Sequence, residues 1–87
     1  MTTKREAQIA KRLKKLREAH NMGPTDFAAW LGISKQRWSN VEHGLPLSIA
    51  VADRLCERIP GLTLDWLYYG KVDGLAVALA RRLARSQ

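Results

Sequence analysis

The chain has 87 residues, 46% of them hydrophobic, and a formal net charge of +7 at pH 7. This length predicts one small domain with one modest core, and the single cysteine, Cys56, excludes a disulfide framework and a cysteine-based metal site. A basic chain without a long apolar run or a signal peptide is expected to be cytoplasmic, to avoid membranes and to bind a polyanion such as nucleic acid.

The first predicted helix runs from about Glu6 to His20, after a loose start at residues 1–5. Its apolar positions repeat at helical spacing. They are Ile9, Leu13 and Leu16. Lys14 and Lys15 lie on the opposite face. A solvated lysine face and a face that contacts DNA phosphates are equally consistent with this pattern, so both lysines are candidate DNA-backbone contacts.

Residues 23–44 predict two short helices joined by a sharp turn. Pro24 can begin the first helix, because a proline at the first helical position gives up only an N–H that would be unpaired. Gly23 is then its N-cap. Ser34 is the expected N-cap of the second helix, and Gly44 lies where that helix should end. Two helices joined by so short a turn cross steeply, which is the helix-turn-helix arrangement.

The second of these helices has one apolar side, which carries Trp38 and Val41, and one polar side. Amide side chains on the polar side can bond adenine edges, and lysine or arginine can bond guanine. Cations in the first turn of a helix oppose its macrodipole, so their presence favours a DNA-reading role over a merely solvated face. The polar residues are Lys35, Gln36, Arg37, Ser39, Asn40 and His43.

Glu42 lies on the apolar side of the same helix. A buried carboxylate must be paired, or it becomes protonated. Arg17, at the edge of the apolar stripe of the first helix, is the best partner by helical phase. The sequence therefore predicts an Arg17–Glu42 pair whose role is structural, holding the two helices in register.

Two further helices are expected after the motif. Ser48 can cap the fourth, which ends at residues 60–61, and Thr63 can cap a short fifth helix that ends at Gly70. The loop before the fourth helix has no basic residue until Arg54. Phosphate contacts there are therefore expected from backbone N–H groups and from Ser48.

Residues 71–87 are predicted to be a helical tail on a DNA-binding domain formed by residues 1–70. Residues 71–74 are expected to be a short hinge with Asp73 as a candidate cap, and the helix is expected from Leu75 onward. One row of the tail helix is apolar, and Val77 lies on its far side. The row consists of Leu75, Leu79 and Leu83. A helix that is apolar around much of its circumference needs two surfaces. The tail is therefore expected to serve dimerisation as well as its own domain, with a loosely docked tail as the alternative.

Residues 22–44, MGPTDFAAWLGISKQRWSNVEHG, resemble the helix-turn-helix of the phage-repressor family (lambda repressor/Cro, or XRE) without a gap. The matching positions include Ala28, Gly32, Ser34 and Glu42. The resemblance extends to residues 12–18, where Arg17 matches the family's arginine partner for the closing glutamate. It also extends to residues 62–70, which are similar to the family's last core helix.

This resemblance implies an all-α fold, a compact five- to six-helix bundle that binds operator DNA as a dimer, with the second motif helix in the major groove. Base reading is implied for Lys35, Gln36, Ser39 and Asn40. Contacts to the DNA backbone are expected from Arg37, His43, Ser48, Lys14 and Lys15.

Two departures from the family pattern concern the same site. Gly23 and Pro24 stand where many members have a polar N-cap and a glutamine that touches phosphate and supports the reading helix, so that side-chain contact is lost. Trp38 replaces a smaller aliphatic residue, and we expect it to tilt the reading helix.

The predicted function is a transcriptional regulator that binds double-stranded DNA sequence-specifically, most simply a repressor acting as a homodimer on a near-palindromic operator. The sequence contains no motif for catalysis, a metal or a cofactor, so an enzyme is not expected. Three alternatives remain open. They are the DNA-binding antitoxin of a toxin–antitoxin pair, a protein-interaction module that kept the fold, and a basic protein that binds RNA or membranes.

Overall fold

The computed structural model describes residues 2–85, and this part of the chain contains six α-helices and no strand. The helices are α1 (Lys4–Ala19), α2 (Pro24–Leu31), α3 (Lys35–Glu42), α4 (Ile49–Arg58), α5 (Leu64–Tyr69) and α6 (Val77–Arg85). α2 and α3 pack on each other, and α1 packs against α3, α5 and α6. The prediction of an all-α bundle with five or six helices is confirmed.

The first helix begins earlier than the sequence analysis predicted. The Thr3 hydroxyl accepts a hydrogen bond from the backbone N–H of Glu6 at 3.1 Å, and the Glu6 carboxylate accepts one from the Thr3 N–H at 3.0 Å. This reciprocal arrangement is a capping box, and it fixes the start of α1 at Lys4. The expected loose start at residues 1–5 is therefore wrong from Thr3 onward, and Met1 lies outside the described residues.

Four other helices begin at the residues predicted. Gly23 has an extended backbone and precedes Pro24 at the start of α2. The hydroxyl oxygens of Ser34, Ser48 and Thr63 accept from backbone N–H groups three residues further on, at 3.0, 3.2 and 3.1 Å. Each cap satisfies an N–H that the first turn of a helix leaves unpaired, and it depends only on residues adjacent in sequence.

The turn between α2 and α3 depends on Gly32, whose φ of 80° lies in the left-handed region that favours glycine. The N–H groups of Gly32 and Ile33 both donate to the carbonyl of Ala28, each at 3.0 Å. These bonds end α2, and the next residue, Ser34, is the N-cap of α3. Three residues therefore separate the end of α2 from the start of α3, which lies across it.

One hydrophobic core extends through all six helices. Its largest fully buried side chains include Phe27 and Trp38, whose ring centroids lie 4.8 Å apart. The apolar side predicted for α3, which carries Trp38 and Val41, is buried, and so is the face of α2 that carries Phe27, Ala28 and Leu31.

The C-terminal tail contributes to this same core. Its predicted apolar row is buried where α6 packs on α1, and Val77 on the far side is 65% exposed. The buried row is Leu75, Leu79 and Leu83. The alternative of a loosely docked tail is therefore wrong for the described part of the helix, because Leu79 and Leu83 are buried where it contacts α1.

Two details of the predicted tail are wrong. α6 begins at Val77 rather than at Leu75, and Asp73 does not cap it. The backbone N–H of Ala76 donates to the carbonyl of Gly61 at 3.2 Å, which holds the segment before the helix against the α4–α5 connection. This contact joins residues distant in sequence, so no local pattern could indicate it.

Three arginines bond to the C-terminal ends of helices other than their own. Arg12 donates to the carbonyl of Leu67 in α5 at 3.1 Å, and burial lowers the pKa of Arg12. Two similar bonds lie elsewhere in the bundle. Arg58 donates to Trp30 O in α2, and Arg82 donates to Ala19 O in α1, both at 3.0 Å. Cations near helix C-termini bond carbonyls that lack a partner within the helix and interact favourably with the macrodipole.

Candidate nucleic-acid interface

α3 presents its polar face from a rigid support. Trp38 is fully buried and Val41 is 6% exposed, where the helix packs against α1 and α2. Rotating α3 about its axis would bring the Trp38 ring into water, which the hydrophobic effect opposes. The side of the helix opposite Trp38 is therefore fixed toward solvent.

The pairing of Arg17 with Glu42 fastens α3 to α1. The Arg17 Nη2 lies 2.8 Å from Glu42 Oε1, and Nε donates to Oε2 at 3.1 Å. A third donor, Nη1, bonds the carbonyl of Met22 at 2.9 Å, just before α2. The two charged side chains are only 11% and 9% exposed. The hydrogen bond to Glu42 raises the pKa of Arg17, although burial acts in the opposite direction.

The outward face of α3 contains the residues to which the sequence assigned contacts with bases. Lys35 and Gln36 are exposed, and Ser39 and Asn40 are partly buried at the flanks of the same face. The structure therefore brings all four predicted base-reading residues together on one helix, in a surface that is polar and accessible.

Gln36 and Asn40 form an amide pair on this surface. The Gln36 Nε2 donates to Asn40 Oδ1 at 2.8 Å, one helical turn away. This bond orders two side chains that would otherwise rotate in solvent. It also leaves hydrogen-bonding atoms on both amides facing outward.

His43 ends α3 with its ring folded back on the helix. Its Nδ1 lies 2.7 Å from the carbonyl oxygen of Ser39 and 3.3 Å from the Ser39 hydroxyl. A carbonyl can only accept, so the short contact requires the proton on Nδ1. The Nε2 atom is then left as the free polar edge of an exposed imidazole.

A shallow groove separates the end of α3 from the start of α4. Arg37 is exposed on the α3 side and Ser48 is exposed on the α4 side. The groove is lined by Arg37, Asn40, Val41, Leu45, Pro46, Ser48 and Val51. Arg37 and Ser48, both predicted to contact the DNA backbone, therefore lie beside the polar face of α3.

A family model described as a helix-turn-helix domain matches residues 8–59, which is more than half of the chain. The chain belongs to the helix-turn-helix domain family. The match includes α2, α3, α4 and every residue predicted to read bases. Comparison with curated proteins and comparison with solved structures each gave no match. Membership of this family identifies the chain as a DNA-binding protein of the regulator type.

Lys14 and Lys15, both predicted to contact DNA phosphates, differ in their exposure. Lys14 is exposed on α1. Lys15 is partly buried and lines a small pocket with Trp66, Leu75 and Leu83, on the side of α1 that faces α5 and α6. Lys14 and Lys15 therefore lie in different surroundings, and residues of the tail cover part of Lys15.

Arg54 and Arg58 of α4 cover the C-terminal end of α2. The sequence predicted no role for either side chain. Arg58 lies over the Trp30 ring, 4.9 Å from its centroid, in addition to bonding the Trp30 carbonyl. The Arg54 guanidinium lies beside Gly32, where a Cβ would stand 3.6 Å from Nη2. Their spacing of four residues, on the side of α4 that faces α2, was the available signal.

Among residues 2–85, no group of three or more histidine, cysteine or acidic side chains is arranged to hold a metal ion. Within the same residues, every helix is too short or too polar to cross a membrane.

Proposed function

We propose that this helix-turn-helix protein is a sequence-specific transcriptional repressor of the phage-repressor type, which places α3 in the major groove of its operator. The proposal depends on one observation: the polar face of α3 is held outward by a fully buried Trp38 and by the Arg17–Glu42 pair. The major groove admits an α-helix, and its donor and acceptor pattern is distinct for each base pair.

Side chains around α3 would fix its register on the duplex by contacting phosphates. Arg37 and His43 are exposed at its two ends, and Ser48 is exposed across the groove. The Ser48 oxygen accepts from the Val51 N–H, so the hydroxyl hydrogen remains free to donate to a phosphate. Lys14 would add a more distant, sequence-independent contact.

In the proposed mechanism the protein binds as a homodimer. Two α3 helices about 34–36 Å apart would then face successive major grooves over a near-palindromic operator. Bound over a promoter, the dimer would exclude polymerase. The proposed action is binding alone, in the cytoplasm, without catalysis or a cofactor. If α6 takes part in the dimer, it does so through its outer face near Val77, because α1 covers its leucine row.

The test is a binding selection from a randomised duplex library at about 150 mM salt, where non-specific affinity is weak. We expect enrichment of an inverted repeat, whose half-site spacing measures the separation of the two α3 helices. Enrichment of a single half-site would retain base reading by α3 and contradict the dimer. Failure to enrich any sequence would contradict the proposal and favour a protein partner.

A further inference from the structure

The amide pair of α3 is the feature from which base preference can be inferred. In the described part of the chain, the bond to Asn40 is the one hydrogen bond that the Gln36 side chain makes. The donor is Gln36 Nε2 and the acceptor is Asn40 Oδ1, at 2.8 Å. This direction determines which atoms each amide has left for DNA.

Gln36 retains the hydrogen-bonding pattern that adenine requires. Its Nε2 carries two hydrogens, and only one of them is used by Asn40. The second N–H and the Oε1 acceptor have no partner among the described residues. In the major groove adenine presents N7 as an acceptor and N6 as a donor, which is the complement of this pair. Gln36 can therefore bond adenine at two points without releasing Asn40.

Asn40 is the better anchored member of the pair. It is partly buried, and it lines the groove between α3 and α4 beside Val41 and Leu45. Gln36 is exposed, with a longer side chain that loses more rotamer freedom when it binds. An anchored acceptor that holds the exposed amide before DNA arrives removes part of this entropic cost.

Because Asn40 Oδ1 accepts the bond from Gln36, this bond also influences which hydrogen-bonding groups Asn40 can offer to DNA. The bond from Gln36 occupies one of the two lone pairs of Oδ1, whereas the two N–H donors of Nδ2 bond no described residue. A base that offers an acceptor complements these donors. In the major groove guanine offers N7 and O6, and thymine offers O4.

We infer that Asn40 is a positioning residue for Gln36, and that the pair reads an adenine next to a base that offers an acceptor. This inference rests on the proposed function, because it assumes that α3 lies in the major groove. It goes beyond that function by assigning different roles to the two amides and by naming the base classes they recognise.

The experiment compares the wild type, Q36A, N40A and N40D on the selected duplex and on duplexes with each base pair of the half-site substituted. The quantity measured is the ratio of Kd values between bases at one position. Asn40→Asp keeps an oxygen that can accept from Gln36, but it replaces the outward donor with an acceptor. Gln8→Ala, which removes an exposed amide of α1, is the matched control.

We expect the wild type and Q8A to prefer adenine at one position by roughly 5- to 150-fold, the range that one bidentate contact provides. Q36A should abolish this preference, and N40A should reduce it several-fold. N40D should retain it while the preference at the adjacent position changes to cytosine, whose N4 is a donor. Because ratios are compared, a general loss of affinity from the added negative charge does not affect the result.

Full adenine preference in N40A, or its loss in N40D, would overturn the positioning role of Asn40. A Q36A protein with unchanged base preferences would overturn the assignment of adenine to Gln36. Both of these results leave sequence-specific binding by the wild type intact. A wild type without any base preference would instead overturn the proposed function, and this inference with it.

Discussion

The polar side chains of α3 and the arginines of the surrounding helices are used in opposite ways. The side chains of Gln36 and Arg37 are exposed and bond nothing outside α3 among the described residues. Arg12, Arg58 and Arg82 each donate to a carbonyl of another helix. A net charge of +7 therefore overstates the cationic surface available to DNA. The fold therefore leaves the Gln36 and Arg37 side chains accessible on the polar face of α3.

The largest expected effect concerns the pair that holds α3 in place. Glu42→Ala leaves Arg17 unpaired at a site only 11% exposed, so we expect a loss of roughly 3 kcal/mol in the free energy of unfolding. For a domain of this size, that lowers Tm by more than about 10 °C. Thermal denaturation followed by circular dichroism measures the change, and an unaltered Tm would contradict the structural role of the pair.

An intermediate effect, on DNA affinity, is expected from a substitution on the polar face of α3. Gln36→Ala should weaken binding to the selected operator by roughly 1–3 kcal/mol, because a base contact is lost. Binding to random duplex and Tm should remain close to wild-type values, since the side chain is exposed and does not pack in the core. Titrations with both duplexes provide the measurement. An equal loss on both would show that Gln36 contacts the backbone rather than a base.

Arg58→Ala tests the opposite case, an arginine whose side chain is bonded to another helix. This change removes the bond to the Trp30 carbonyl and the cation–π contact with its ring. We expect a loss of roughly 1 kcal/mol in unfolding free energy, measured by urea denaturation, with operator affinity unchanged. Weaker operator binding by a variant that remains fully folded would place Arg58 in the interface instead.

Salt dependence tests the phosphate contact predicted for Arg37 against Arg82, a second exposed arginine. Arg37→Ala should reduce the slope of log K against log salt by about 0.9, the value of one lost phosphate contact. Arg82→Ala is the matched control and should leave the slope unchanged, since Arg82 bonds Ala19. Equal slopes for Arg37→Ala and wild type would remove Arg37 from the phosphate contacts.

The smallest effect is expected at the centre of the core. Trp38 Nε1 is buried and has no hydrogen-bond partner among the described residues. Trp38→Phe removes this unsatisfied donor but also some packing volume, so the two effects oppose each other. We expect the unfolding free energy to stay within about 1 kcal/mol of wild type in urea denaturation. A loss of 3 kcal/mol or more would show that the indole fills a space that phenylalanine cannot.

Local signals in the sequence were sufficient to predict most helix boundaries of the fold. Ser34, Ser48 and Thr63 each cap a helix through a bond to an N–H three residues on, so cause and effect lie within one turn. The same signal was present at Thr3 and Glu6. The early start of α1 could therefore have been predicted from the spacing of these two residues.

What the sequence could not indicate depends on contacts between distant segments. The start of α6 is determined by a bond from Ala76 to Gly61, and the surroundings of Lys15 depend on residues of α5 and α6. The direction of the Gln36–Asn40 bond is likewise a matter of atomic geometry. Helical phase nevertheless paired Arg17 with Glu42 correctly, because each lies on a face that the apolar pattern already defined.

The packing of the last helix on the first has a consequence for synthesis of the protein. Leu79 and Leu83 complete the core around α1, and Arg82 bonds the end of that helix. A nascent chain that has emerged only as far as α4 already contains every predicted base-reading residue, but its first helix remains partly uncovered. The polar face of α3 should therefore acquire its full rigidity only after Leu83 has left the ribosome.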